Sequence, residues 1–189
     1  MSGRLPIWTA FLANCVVAGL TCAARGWSAA GAHAAARNTA RFSALWFIVA
    51  FAAPGLVRIV RSLPNEVRLI QAFVVAHIVH FAAVVAVLTK FEPEHVARNV
   101  TQTVLVVLVG FSIVMVAGLT ARPRASRLYT TVHKVTLYAI LLIFALAFLH
   151  NPLKPLRLMG VALILALVAR LTSRMAFWTA TVEKTSVSL

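Results

Sequence analysis

The stretch from Arg68 to Lys90, RLIQAFVVAHIVHFAAVVAVLTK, constrains the chain most. It carries a basic residue at each end and no charge between them. An apolar helix of about 20 residues is enough to cross the hydrocarbon core of a bilayer. His77 and His80 lie near its middle. Ionisable groups at that depth are costly, so they mark functional candidates by default. Neutral imidazole is also the commonest metal ligand among side chains.

The rest of the chain agrees with a membrane setting. It is 61% hydrophobic and 12% charged, where a soluble domain is nearer a quarter charged. Alternating strand patterns are absent, which argues against a barrel. Six apolar runs follow one another, at about 6–24, 42–60, 68–90, 101–120, 128–149 and 156–177. The expected fold is therefore an all-α integral membrane protein, a six-transmembrane-helix bundle forming one domain over 1–189 and packed in membrane lipid. Arg25 to Arg41 reads as a loop or short surface helix. Pro54 and Gly55 interrupt the second span, and Phe91 to Asn99 is an acidic link. The first run resembles a signal peptide in outline but is read as a span. Cys15 and Cys22 share a helix face there and read as small buried hydrophobes.

The net charge of +14 does not indicate nucleic acid, because the basic residues fall between apolar runs, as juxtamembrane residues do. Their bias places both termini in the cytoplasm. Arg58, Arg61, Arg68, Arg122, Arg124 and Arg127 then face the same side, and Glu92 and Glu94 face outward.

Six histidines punctuate the chain: His33, His77, His80, His95, His133 and His150. Two lie in span three and two bracket span five. These spans run in the same direction. Two imidazoles on neighbouring helices can ligate one haem b iron without any covalent attachment, and bundle cores commonly house such cofactors. Depth counting at about 1.5 Å per residue gives His77 with His133 a smaller mismatch than His80 with His150. His77 and His80 are too close in sequence for both to hold a haem, so one of them supports the other. The partner on span five stays open. Arg127 and its basic link suit haem propionates or anionic lipid. No G-x-S-x-G, H-E-x-x-H, P-loop or G-x-G-x-x-G is present, and there are no aspartates.

The run from Arg68 to His80-Phe81, followed by Arg122, Arg124, Arg127, Val132-His133-Lys134, Tyr138 and Leu149-His150, resembles the ferric reductase-like transmembrane family. That family includes NADPH oxidases, metalloreductases and the haem subunit partnering periplasmic methionine sulfoxide reductase. The resemblance covers roughly Arg68 to His150. It implies haem b, one or two per chain, carried by His80 on span three with His133 or His150 on span five. It implies an electron-transfer component in a bacterial inner membrane, served by a quinol or a separate redox partner protein. The interval from His133 to His150 exceeds the family pattern by about one helical turn. A non-redox structural subunit and a small transporter with a histidine relay are the competing readings. The charge bias carries its own test: a reporter fused at Leu189 is expected to report from the cytoplasm, and an external signal would invert the topology.

Overall fold

The structure is a computed structural model and describes residues 5–57, 60, 63–121, 126–149 and 154–186. Seven helices are present among them: α1 (Leu5–Arg25), α2 (Ala29–Leu56), α3 (Glu66–Lys90), α4 (Pro93–Arg98), α5 (Val100–Thr120), α6 (Arg127–Leu149) and α7 (Lys154–Ser186). No strand occurs among the described residues. Five helices, α1, α2, α3, α5 and α6, are long and apolar enough to cross a membrane. The chain is thus an all-helical, membrane-embedded bundle.

Local chemistry sets the helix ends. Gly26, at φ 75°, ends α1 in the left-handed conformation that glycine adopts cheaply. Ser28 then caps α2, its hydroxyl accepting from the Gly31 amide at 3.2 Å. A Cβ on Gly31 would run into the Gly26 carbonyl, so the turn needs glycine at both positions. Asn65 caps α3 by accepting from the Arg68 amide at 3.0 Å. Glu66 in the first turn and Lys90 in the last complement the helix dipole.

The largest departure from the sequence reading concerns α2. The segment from Arg25 to Arg41, expected as a loop or short surface helix, is mostly helix from Ala29 onward and continuous with the second apolar run. Alanine has the highest intrinsic helix propensity, and buried Ala34 and Ala35 let the neighbouring helices approach. The acidic link contains a single short helix, α4, which opens on Pro93. The last helix extends to Ser186, past the expected end of span six.

The broadest interface joins α2 and α3. Helix α1 covers one side of this pair. On the other side α7 packs on α2, α6 on α7, α5 on α6, and α5 returns to α3. Five helices thus enclose an interior filled by aromatic rings. Phe47 is fully buried and meets Phe51, Phe73 and Phe144 at centroid distances of 5.6, 5.1 and 5.5 Å. Tyr138 stands edge-on to Phe51 at 5.4 Å. Such pairs contribute about 0.5–1.5 kcal/mol beyond their area.

Among the described residues, one charged side chain is buried. Arg170 of α7 donates to the Phe51 carbonyl at 2.9 Å and to the Glu66 carboxylate at 2.7 Å. Its guanidinium lies 4.7 Å from the centre of the Phe51 ring. Beside it, Gly55 of α2 lies against the Ala169 backbone, where any Cβ would collide. The Pro54-Gly55 pair therefore marks the place where α7 docks. Small residues at a helix crossing let backbones meet when lipid supplies no hydrophobic drive.

Arg170→Ala is expected to destabilise the bundle by up to about 3 kcal/mol. That is the low end of the range for breaking a buried pair, because Glu66 keeps some contact with solvent. Thermal unfolding in detergent measures the loss. The double variant Arg170→Met with Glu66→Gln is expected to recover part of it, and strictly additive losses would show that the two side chains are not coupled.

Candidate functional site

Helix α3 brings His77 and His80 to its face against α2. The His77 Nδ1 lies 2.7 Å from the Ser43 hydroxyl. That hydroxyl donates to the Ala40 carbonyl at 2.8 Å, so His77 Nδ1 carries the hydrogen and donates to Ser43. The His80 Nδ1 lies 3.0 Å from the Ala36 carbonyl. A carbonyl only accepts, so this nitrogen is also the donor. The Thr39 hydroxyl, 3.4 Å away, is itself directed at the Ala35 and Ala36 carbonyls.

His133 repeats the arrangement on α6. Its Nδ1 is 3.0 Å from the Thr120 hydroxyl of α5, which donates to the Val116 carbonyl at 2.6 Å. All three neutral imidazoles thus take the Nδ1–H tautomer. His77 and His80 leave the Nε2 lone pair uncommitted among the described residues. An imidazole that ligates a metal through Nε2 is held in this way, by donating its other nitrogen to an oxygen.

The three differ in surroundings. His77 is 7% exposed and its ring is packed by Phe73, His80, Phe81 and Phe144 at centroid distances of 5.3, 4.9, 4.9 and 5.8 Å. Aromatic side chains fill the space between it and α6. His80 is half-buried and meets Phe81 at 5.7 Å. His133 lies at the α5–α6 contact, within the electrostatic influence of Glu66 and Arg170. Phe144, which meets His77, follows His133 on α6 by about 16 Å along that helix. Phe144, not His133, is the α6 residue at the depth of His77. Depth counting gives His77 with His133 a smaller mismatch than His80 with His150, a comparison that reaches outside the described residues at His150. His150 lies outside the described residues, as do Arg122 and Arg124. Arg127 is exposed in the first turn of α6.

Several polar residues around the histidines escape a reading by hydropathy. Asn14 of α1 is fully buried and donates to the Ala76 carbonyl, on the turn that carries His77, while its Oδ1 has no partner among the described residues. His33, at the other end of the α2–α3 interface, binds the Glu92 carboxylate at 2.8 Å. Asn38 donates to the Thr21 hydroxyl at 3.2 Å and so joins α2 to α1. The signal for Thr39 and Ser43 was present. They lie four apart on α2 and face histidines three apart on α3. Reading the segment up to Arg41 as a loop or short surface helix placed Thr39 outside the membrane and hid the match.

The class these features define is a helical membrane bundle whose central helix pair is joined by hydroxyl–imidazole and carbonyl–imidazole hydrogen bonds. The chain matches no family model, no curated protein and no solved structure.

The tautomers are open to measurement. Nitrogen-15 NMR of histidine-labelled protein is expected to show a protonated Nδ1 and a bare Nε2 for His77, His80 and His133. A spectrum with Nε2–H at His80 would remove it as an Nε2 ligand.

Proposed function

We propose that this chain is a six-span, b-type haem membrane subunit of the ferric reductase-like kind, relaying electrons for a partner. The observation that supports it most is the state of His80: an imidazole in the middle of an apolar helix, anchored at Nδ1 by the Ala36 carbonyl, with Nε2 left for iron. The donor set on α3 therefore suits one axial ligand. His77, tied to Ser43 and enclosed by rings, supports the position of its neighbour. His133, held by the Thr120 hydroxyl on the α5 side, is the partner the family pattern offers for an inner haem. The second ligand of a haem on His80 is then assigned to His150 by the family pattern, and Arg127 to a propionate or a lipid phosphate.

A bound haem b supplies reversible one-electron exchange, at a potential set by its axial ligands and by burial. What the protein's own residues contribute is binding, orientation and dryness. Ser43 and the Ala36 carbonyl fix two imidazole planes. Phe73, Phe81 and Phe144 exclude water from the face of His77. Electrons arrive from a quinol or a separate flavoprotein and leave to a redox partner protein.

A second reading has its own observation. Each described intramembrane histidine ties one helix to its neighbour, α3 to α2 and α6 to α5, which is also what a non-redox structural subunit needs. The transporter reading gains nothing, because Pro54 and Gly55 serve the docking of α7.

A pyridine haemochrome assay on protein made with ample haem separates the two. The expected result is a low-spin b-type spectrum. His80→Ala is expected to lose the haem or turn it high-spin, while His77→Ala keeps a low-spin spectrum of lower stability. A protein without haem would favour the structural subunit. Wild-type spectra from both variants would remove α3 from the ligand set, and the opposite pattern would make His77 the ligand.

A further inference from the structure

The register of α2 against α3 fixes the depth of two arginines. His80 meets the Ala36 carbonyl at 3.0 Å and lies 3.4 Å from the Thr39 hydroxyl, while His77 meets Ser43 at 2.7 Å. Arg37 directly follows Ala36, and Arg41 lies between Thr39 and Ser43. Both therefore stand at the level of the α3 histidines. His80 precedes Lys90, the last residue of α3, by about 15 Å of helix rise. That is about half of a hydrocarbon core of about 30 Å. Arg37, Arg41 and Leu45 follow one another at helical spacing and form a single stripe on α2. Ala36, Thr39 and Ser43 face α3, so this stripe is turned away from it. Arg37 and Leu45 are exposed, and Arg41 is half-buried.

Charges at this depth are costly and are normally paired. Arg170 follows that rule; Arg37 and Arg41 do not. Arg41 donates to the Asn38 side-chain oxygen at 3.3 Å, and Asn38 donates to Thr21 of α1 at 3.2 Å, so the groups that hold it are neutral. The described carboxylates are engaged elsewhere. Glu66 is bound by Arg170 at 2.7 Å and Glu92 by His33 at 2.8 Å, and Glu94 lies 4.0 Å from Arg98. Charge therefore selects an anionic occupant for the stripe, and depth selects its kind. Lipid phosphates lie beyond the edge of the hydrocarbon core, about half its thickness from this level. A second copy of this chain has no carboxylate at mid-span. Glu66 begins α3, Glu92 and Glu94 follow its last residue, and Glu183 is near the end of α7. An acidic side chain on a membrane helix of another protein meets both conditions, and the pairing offsets the cost of burying either charge.

We propose that Arg37 and Arg41 dock a membrane-spanning helix of a different protein, one that carries a carboxylate near its middle. The proposal rests on the membrane-embedded reading and is independent of haem. The probe is a synthetic leucine–alanine helix, long enough to span a bilayer, with a single central glutamate. Its association with the full chain is read by energy transfer between attached dyes in phosphatidylcholine bilayers at mildly alkaline pH. The glutamate peptide is expected to associate severalfold more tightly than its glutamine counterpart, and than a peptide with the glutamate moved to one end. Arg37→Gln with Arg41→Gln is expected to erase that preference. Arg37→Glu with Arg41→Glu is expected to transfer it to a peptide with a central lysine. Arg37→Gln alone, which keeps the bond from Arg41 to Asn38, is expected to lose part of it with unchanged far-ultraviolet circular dichroism. Equal association of the glutamate and glutamine peptides would overturn the docking site, as would a preference that survives in the double glutamine variant. Loss of the preference when phosphatidylglycerol replaces part of the phosphatidylcholine would assign the arginines to lipid phosphate and overturn it as well. Release of the chain from membranes by carbonate washing would instead overturn the membrane reading on which it rests.

Discussion

The hydrogen bond between His77 and Ser43 occupies the point on which the bundle is organised. In hydrocarbon, water is not available to satisfy a polar group, so an imidazole must find its partner on another helix. Ser43 and the Ala36 carbonyl provide those partners from α2. Register follows from this pairing. Once His77 faces Ser43, sliding α2 along α3 by a turn strands both imidazoles. Such bonds contribute only about 0.6 kcal/mol each on average in membrane bundles. Their value here is specificity, since the apolar surfaces around them would tolerate several registers.

Aromatic packing and one ion pair complete the enclosure. Phe47, Phe73 and Phe144 join α2, α3 and α6, although α6 packs mainly on α5 and α7. That aromatic layer has a functional side. It closes the gap at the depth of His77 and leaves His80, one turn further along, as the less enclosed imidazole. Two histidines with the same tautomer are thereby given different environments by the rings next to them.

Hydropathy made most of the helices legible. The runs at 68–90, 101–120 and 128–149 correspond to α3, α5 and α6 within a few residues, because a run of apolar residues bounded by charges has few other solutions. The Ala-rich stretch before Phe42 was misread because Arg37 and Arg41 resemble the end of a membrane segment, whereas the helix continues past them. The histidines of α3 were legible as a pair. Their partners were not, since a serine or threonine on an apolar helix also satisfies itself by bonding one turn back. The offset between α3 and α6 is set by Phe144 against Phe73 and His77, a tertiary fact with no local signature.

The contacts of Arg170 carry a consequence for how the molecule is made. A guanidinium packed inside a bundle is costly unless it is paired and hydrogen-bonded. The groups that offset this, the Phe51 carbonyl and the Glu66 carboxylate, belong to helices that a ribosome synthesises more than a hundred residues earlier. Stable placement of α7 is therefore conditional on α2 and α3 having already met. The last long helix acts as a check on assembly, docking only where its earlier neighbours have already met.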